Sequence, residues 1–319
     1  VTLEHSGNID SDAGVTTGAG GFSSDRTAEA SGVFDSDGVT INAGTGNVTV
    51  VAVAQNVVMG TISNAATILL SGAAVSQNGS ATGRSYTLNA TDDVTINGNI
   101  TANDTGTPAN SLVAITAGSD GTGDVVAGAV EIRGQGISFR AGDGAGGTDT
   151  ATVQIGSVTL ADRTGAANPN AVTIRQDASI AATDIPLLTA FTGGSVTGMN
   201  YTLQSDAGSV DIGANAARVA GSRLTLSALN TGQTVAWTSD LNVESLTVNG
   251  AVPNLTNNVT ATNGDIVLNL QNTLTTLGGN VTLSAVSTGN GSGLIDINSG
   301  AANAIELGSN LLAMRGTEI

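Results

Sequence analysis

Large apolar residues alternate with small polar ones in short runs along the whole chain. In "NVTLSAVSTGNGSGLIDINSG" (residues 280–300), Val281, Leu283 and Ala285 alternate with Thr282 and Ser284. A polar turn follows, and Ile295 and Ile297 then alternate with Asp296 and Asn298. Period-two alternation predicts strands, and the Gly/Asn/Ser cluster between them predicts a turn. The phrase recurs as "GVTINAG" (38–44), "NVTVVA" (47–52), "SYTLNA" (85–90), "DVTING" (93–98), "SVTLAD" (157–162), "AVTIRQ" (171–176), "NYTLQS" (200–205), "RLTLSA" (223–228) and "SLTVNG" (245–250). Its core is a large apolar residue, Thr and a second large apolar residue. The two flanks should therefore face a core, and the Thr should face out.

Longer stretches also match. "SYTLNATDDVTINGN" (85–99) parallels "NYTLQSDAGSVDIGAN" (200–215), so that Tyr86, Leu88, Val94 and Ile96 correspond to Tyr201, Leu203, Val210 and Ile212. The second turn is one residue longer, a slippage that loops accept cheaply. Strands of about five residues separated by such short turns leave no room for helices, and Val, Ile and Thr dominate over helix formers. Tandem sandwich domains would need a coarser period and an aromatic anchor in each domain. The lone Trp237 anchors nothing periodic.

These features predict an all-β parallel β-solenoid (β-helix), with residues 1–319 forming one continuous elongated rod. Coils of roughly 22–30 residues, stacked at the ~4.8 Å strand spacing, would number about 11–14 and span on the order of 50–70 Å. Gly and Asn are expected at positive-φ corners. Loops are expected to leave the rod at residues 10–31, 119–128, 140–150, 163–170 and 185–198, where the phrase is interrupted.

Composition agrees with a narrow core. Apolar residues make up 40% of the chain but aromatic residues only 2%, so Val, Ile, Leu and Ala must fill the interior. The 44 glycines and four prolines imply many tight turns with few strand breaks. The net charge of −17 arises from 26 acidic residues against nine arginines, with no lysine. That balance argues against nucleic acid and against anionic membrane surfaces. No window of eighteen apolar residues exists, so no membrane insertion is expected. The absence of cysteine removes disulfides and thiolate metal sites.

The loose "G-x-V-x-L-x-A … G-x-I-x-I" style of "GGNVTLSAVSTGNGSGLIDINSGAANAIELGS" (278–309) resembles large secreted β-helical exoproteins of bacteria, the filamentous haemagglutinin-like adhesins. The resemblance covers most of the chain in style. It implies a non-catalytic extracellular or cell-surface protein with an adhesive, structural or matrix role. "NPNAV" (168–172) is similar to the Asn-Pro-Asn motif of that family's secretion domain. It lacks the bulky residue before the first Asn and the Gly after the second, and reads as a turn.

Catalytic parts are scarce. Asp92 and Asp93 are neighbours and would point to opposite sides of a strand, so they are expected in a turn and not as an acid–base pair. His5 stands alone near one end, which leaves neither a Ser-His-Asp triad nor a histidine metal site. No catalytic, cofactor or metal residue is assigned. Calcium is the one cation left open, through Asp35 and Asp37 of "FDSDG" and through "GDGAGGTDT" (142–150), although neither segment repeats in tandem. Sequons at Asn47, Asn89, Asn99, Asn200, Asn258 and Asn280 follow from the repeat: a corner Asn, an inward apolar residue and an outward Thr. Both ends read as uncapped, so the expected partners are further coils of the same chain or identical subunits end to end, forming a filament. Cell-surface or matrix carbohydrate is the further candidate partner. A carbohydrate-active β-helix, lyase or hydrolase, is the enzymatic alternative.

Overall fold

The computed structural model describes residues 2–3, 9–10, 14–25, 32–52, 54–143, 150–188, 198–271, 275–286, 293–299 and 305–316. Two compact units are distinguished: Val1–Asp143, Thr150–Pro169 and Pro186–Thr189 in the first, and Gly144–Asp149, Asn170–Ile185 and Ala190–Ile319 in the second. Each is a parallel β-solenoid.

Among the described residues of the first unit the strands form three sides, and each side stacks as a parallel ladder. One ladder joins Thr2–Leu3, Phe22–Asp25, Val48–Ala52, residues 68–72, residues 85–90, Leu112–Ala117 and Gly136–Ala141. Its register pairs Phe22, Val48, Ile68, Tyr86, Val113 and Ile137 in one inward column. A second ladder runs through Ile41, Ile62, Ala81, Ile100, Ile132 and Leu160. A third stacks Phe34, Val57, Val75, Val94, Val125 and Val153, all of them fully buried. Facing columns made mostly of aliphatic residues fill a narrow interior, which is why so few aromatic residues suffice.

The second unit repeats the plan with one change. Its long ladder joins Ala171–Gln176, Asn200–Ser205, Arg223–Ala228, Ser245–Gly250, Ile266–Leu270 and Ile295–Ser299. A second side is formed by Leu241–Val243, Val259–Ala261, Val281–Ala285 and Leu312–Arg315. In earlier coils that position is taken by 3₁₀ turns, Ala182–Asp184 and Asn215–Val219. They are tied together by the Asn215 amide on the Ala182 carbonyl (2.6 Å), while the Gly221 N–H continues the column onto the Asn242 carbonyl (2.8 Å).

The core phrase folds as its pattern demands in every quoted copy but Val39–Ile41, where Val39 is half-buried and Thr40 exposed. In Val48–Val50, Tyr86–Leu88, Val94–Ile96, Val158–Leu160, Val172–Ile174, Tyr201–Leu203, Leu224–Leu226, Leu246–Val248 and Val281–Leu283, both flanks are buried and the middle Thr is half-buried. The long-range match also holds: Tyr86 and Tyr201 are both fully buried on the long ladders of their units.

Other expectations need correction. Coil length is more variable than roughly 22–30 residues: the step from Ile68 to Tyr86 is 18 residues, and that from Ile100 to Ile132 is 32. The longer step accommodates the Pro108–Asn110 turn. Phe22–Asp25 and Val125–Ala127, expected within loops, are rungs of the ladders. Phe22 is buried edge-on against Phe34, with ring centroids 5.9 Å apart. Ile297, expected inside, is half-buried, because Ile295–Ser299 is the last strand of its ladder among the described residues.

Corner asparagines also behave differently from expectation. Asn64 is the one non-glycine at positive φ among the described residues. Elsewhere an Asn or Asp just before a strand accepts the N–H of the equivalent residue one coil on. Asp93 accepts from Asp124 (2.9 Å), Asp124 from Thr152 (2.7 Å) and Asn99 from Glu131 (2.8 Å). In the second unit Asp240 accepts from Asn258, Asn258 from Thr282, and Asn280 from Leu311, at 2.8–2.9 Å. The side chain adds one rung to each ladder before the backbone takes over, satisfying an N–H that a turn would otherwise strand.

The two buried tyrosines differ in one bond. The Tyr86 hydroxyl donates to Gln77 Oε1 at 3.0 Å, and Gln77 Nε2 donates to the carbonyls of Gly60 and Gly79. The Tyr201 hydroxyl is buried with no partner among the described residues. Burial pushes both phenols above the usual tyrosine range, with the Arg218 charge partly opposing this at Tyr201. Removing a bonded buried hydroxyl strands its partner, whereas removing an unbonded one relieves a desolvated group. Tyr86→Phe is therefore expected to lower unfolding free energy by about 1–2 kcal/mol, and Tyr201→Phe to leave it unchanged or raise it. Chemical denaturation of the two variants checks the contrast.

Candidate functional site

The residues that the sequence singles out for chemistry are dispersed in the fold. Asp92 and Asp93 lie exposed in the turn between Ala81–Ala90 and Val94–Ile96, and Asp93 is committed to the ladder bond described above. Asp35 closes the following turn, accepting the N–H of Asp37 at 2.8 Å, while Asp37 accepts that of Gly38 at 3.0 Å. Both carboxylates thus act as local turn acceptors. Among the described residues no group of three or more His, Cys, Asp or Glu side chains is placed to hold a metal ion. His5 and residues 144–149 lie outside the described residues. Residues 168–170 lead into the strand Ala171–Gln176 as an irregular segment, with Pro169 buried. Asn99, Asn258 and Asn280 owe their sequons to the acceptor role, and Asn47, Asn89 and Asn200 are exposed beside inward Val48, Ala90 and Tyr201.

Outward faces carry polar stacks. In the second unit Asn249 donates to Ser227, Asn269 to Asn249 and Asn298 to Asn269, at 2.8–3.0 Å, along one column of the long ladder. Beside it Thr202, Thr225 and Thr247 stand in register. Such stacks let each amide serve as donor to one coil and acceptor to the next. Acids near these faces are held by arginine: Arg175 meets the nearly buried Asp206 at 2.6 Å, and Arg223 meets Glu244 at 2.9 Å.

The most featured surface is a corner of the first unit, where one strand serves two sides of the coil. Thr61–Gly72 and Ala81–Ala90 each bend there, and their pairing slips between Ala81 and Gly83. Asn64, at φ 57°, lies on the bend. An extra residue in one strand of a pair kinks it and opens the ladder locally. The result is an open cleft of about 260 Å³ lined by Thr45, Asn64, Ala65, Thr82, Arg84 and Asn103.

The polar groups of this corner are oriented from behind. Asn64 Nδ2 donates to Asn42 Oδ1 at 3.2 Å, and its own carbonyl oxygen has no partner among the described residues. Arg163 donates to Asn103 Oδ1 at 2.8 Å, and the Asn103 amide N–H groups have no acceptor among the described residues. Asp104 is turned to its own loop, accepting the N–H groups of Gly106 and Thr107. The Thr107 N–H holds its carboxyl below the usual range against the opposing effect of desolvation, with the Gly106 N–H and the Arg84 and Arg163 charges adding to the lowering. Nothing in the phrase pattern marks this corner. The available signal was the break in alternation in "TISNAATILL" (61–70), where Ile62, Ala65 and Ile68 are all buried at a spacing of three, which an unbent strand cannot place on one face.

A second cleft, of about 440 Å³, lies in the second unit beside the Asn215–Val219 turn and is lined mainly by alanine, with Ser239, Asp240 and Asn242 at its rim. No helix among the described residues is long and apolar enough to cross a membrane. No protein-family model, no curated protein and no solved structure matches the chain.

Proposed function

We propose that this β-solenoid is a non-catalytic structural or adhesive segment of an extracellular or cell-surface protein, joined at its last described coil to further coils of the same construction, whether of the same polypeptide or of another copy. The observation that carries this is the exposure of that coil. Met314 pairs with the fully buried Leu283 in the parallel ladder yet is 38% exposed, and Leu311 is 63% exposed. The last described strand of an inward column, exposed in this way, offers apolar surface and a strand edge, the two things a further coil would cover. The overall charge of −17 opposes sideways crowding of copies and leaves backbone pairing at an edge as the favoured contact. The polar stacks support the structural reading, since their amides are spent on one another.

Sedimentation velocity over a range of concentrations, with electron microscopy of the same samples, tests the reading. End-to-end association is expected, and Leu311→Asp combined with Met314→Asp should abolish it with little change in the stability of the chain, because both side chains are already exposed. A monodisperse monomer at every concentration, or association unchanged in the double variant, would refute it.

A further inference from the structure

We infer that the corner cleft of the first unit is a binding site for a single carboxylate-bearing sugar ring, a hexuronate in chemical class. Such a site gives the adhesive reading a ligand, and rests on that reading for its biological use but not for the binding itself.

The cleft combines four features. First, at about 260 Å³ it falls below the 300–1,000 Å³ typical of drug-sized ligands, so it suits one small ring. Second, Arg84 is exposed at its wall, the one charged side chain lining it, and makes no hydrogen bond or ion pair through its guanidinium among the described residues. Asp104, the carboxylate that feels its charge, is already occupied by Gly106 and Thr107. A guanidinium presents a planar fork that matches a carboxylate in two parallel bonds. Third, the neutral lining offers donors and acceptors together: the Asn103 amide N–H groups, the Asn64 carbonyl oxygen, and the hydroxyls of Thr45 and Thr82. Sugar hydroxyls donate and accept at once and need such a mixture, whereas a bare anion would use donors alone. Fourth, the remaining lining includes Ala65, Ala66 and Gly83, small residues that leave room for a ring.

The supporting geometry is set before any ligand arrives. Arg163 reaches Asn103 from sixty residues further along the chain, and Asn42 fixes Asn64 from the preceding coil. A preorganised lining loses less conformational freedom on binding. With no aromatic platform and an open mouth, affinity for one free ring should be modest, on the order of 1 mM.

Backbone amide NMR of the full chain, titrated separately with glucuronate, glucose and acetate, tests the assignment. Glucuronate should shift the resonances of Thr82, Gly83, Arg84 and Asn103 with millimolar affinity, and glucose should bind at least about tenfold more weakly, the loss expected for one charge-assisted bond pair. Arg84→Gln should reduce glucuronate to the level of glucose, and Asn103→Ala should weaken both sugars. Arg84 is exposed, so circular dichroism of its variant should match the parent. Equal binding of glucose and glucuronate, glucuronate binding unchanged in Arg84→Gln, or acetate binding as tightly as glucuronate would each overturn the assignment. None of these outcomes bears on end-to-end association, which is measured separately.

Discussion

Leu283→Asp should unfold the coils around it, whereas Thr282→Asp, one residue away, should be nearly silent. Leu283 is fully buried and lies in register between Val259 and Met314, while Thr282 is half-buried on the outward side of the same strand. A carboxylate forced into the interior column has no cation or donor to meet it. It must either remain charged in an apolar surrounding or take up a proton, and the cost is several kcal/mol by either route. At Thr282 the same carboxylate remains in water, and the change should stay within about 0.5–1 kcal/mol. In a stacked fold the damage is also local, since each coil contacts its neighbours and transmits loss of order through them. Hydrogen exchange should therefore show protection lost in Val259–Ala261, Val281–Ala285 and Leu312–Arg315 for Leu283→Asp and retained for Thr282→Asp. Equal tolerance at both sites would place the strand in the wrong register.

Gly98→Ala is expected to be costly for a reason that has nothing to do with burial of charge. A Cβ at Gly98 would stand 2.0 Å from the Gly79 carbonyl oxygen and 2.3 Å from its carbon, and both contacts are backbone atoms of the preceding coil. The neighbour cannot swing aside as a flexible side chain would, so the coils must separate at that corner. Overpacking of this kind costs about 1–3 kcal/mol, and here the upper end is expected because the N–H of Gly98 is also bonded to the Gln77 carbonyl at 3.1 Å. Gly128 provides the control: a Cβ there meets nothing within 4 Å, and Gly128→Ala should stay within about 0.5 kcal/mol. Denaturation midpoints of the two variants decide the matter, and equal midpoints would remove the close-approach explanation.

The sequence and the structure part company where side chains are small or where the phrase is interrupted. "VTL" and its variants declare which residues face inward, because burying Thr would strand a hydroxyl and exposing Leu would waste apolar surface. "FSSD" (22–25) says much less. Its inward pair is Phe22 and Ser24, and a buried serine mimics a loop. "NAARV" (215–219) forms a 3₁₀ turn with Ala216 and Val219 buried, a spacing of three that short alternating patterns do not register. The acceptor role of Asn and Asp before strands was visible as a frequency but not as a mechanism. Their partner is the equivalent residue one coil later, 18 to 32 positions away, and variable coil length hides that spacing. The corner cleft was hidden for a related reason. Its polar lining comes from four successive coils, and only the stacking register brings Asn64, Arg84 and Asn103 to one place.

Successive coils stack in parallel, in-register ladders, and the cysteine-free chain allows a direct chemical measurement of that central feature. Thr225 pairs with both Thr202 and Thr247 on the outward side of the long ladder. Residues so paired stand about 4.8 Å apart, within the range of Cα separations that a disulfide spans. Thr225→Cys with Thr247→Cys should therefore form an intramolecular disulfide rapidly under mild oxidation. Thr225→Cys with Asn249→Cys, displaced by two residues along the strand to a separation of about 8 Å, should remain reduced. Rapid closure of the first pair and not the second is the expected result; no closure of the in-register pair, or equal closure of both, would contradict the parallel solenoid.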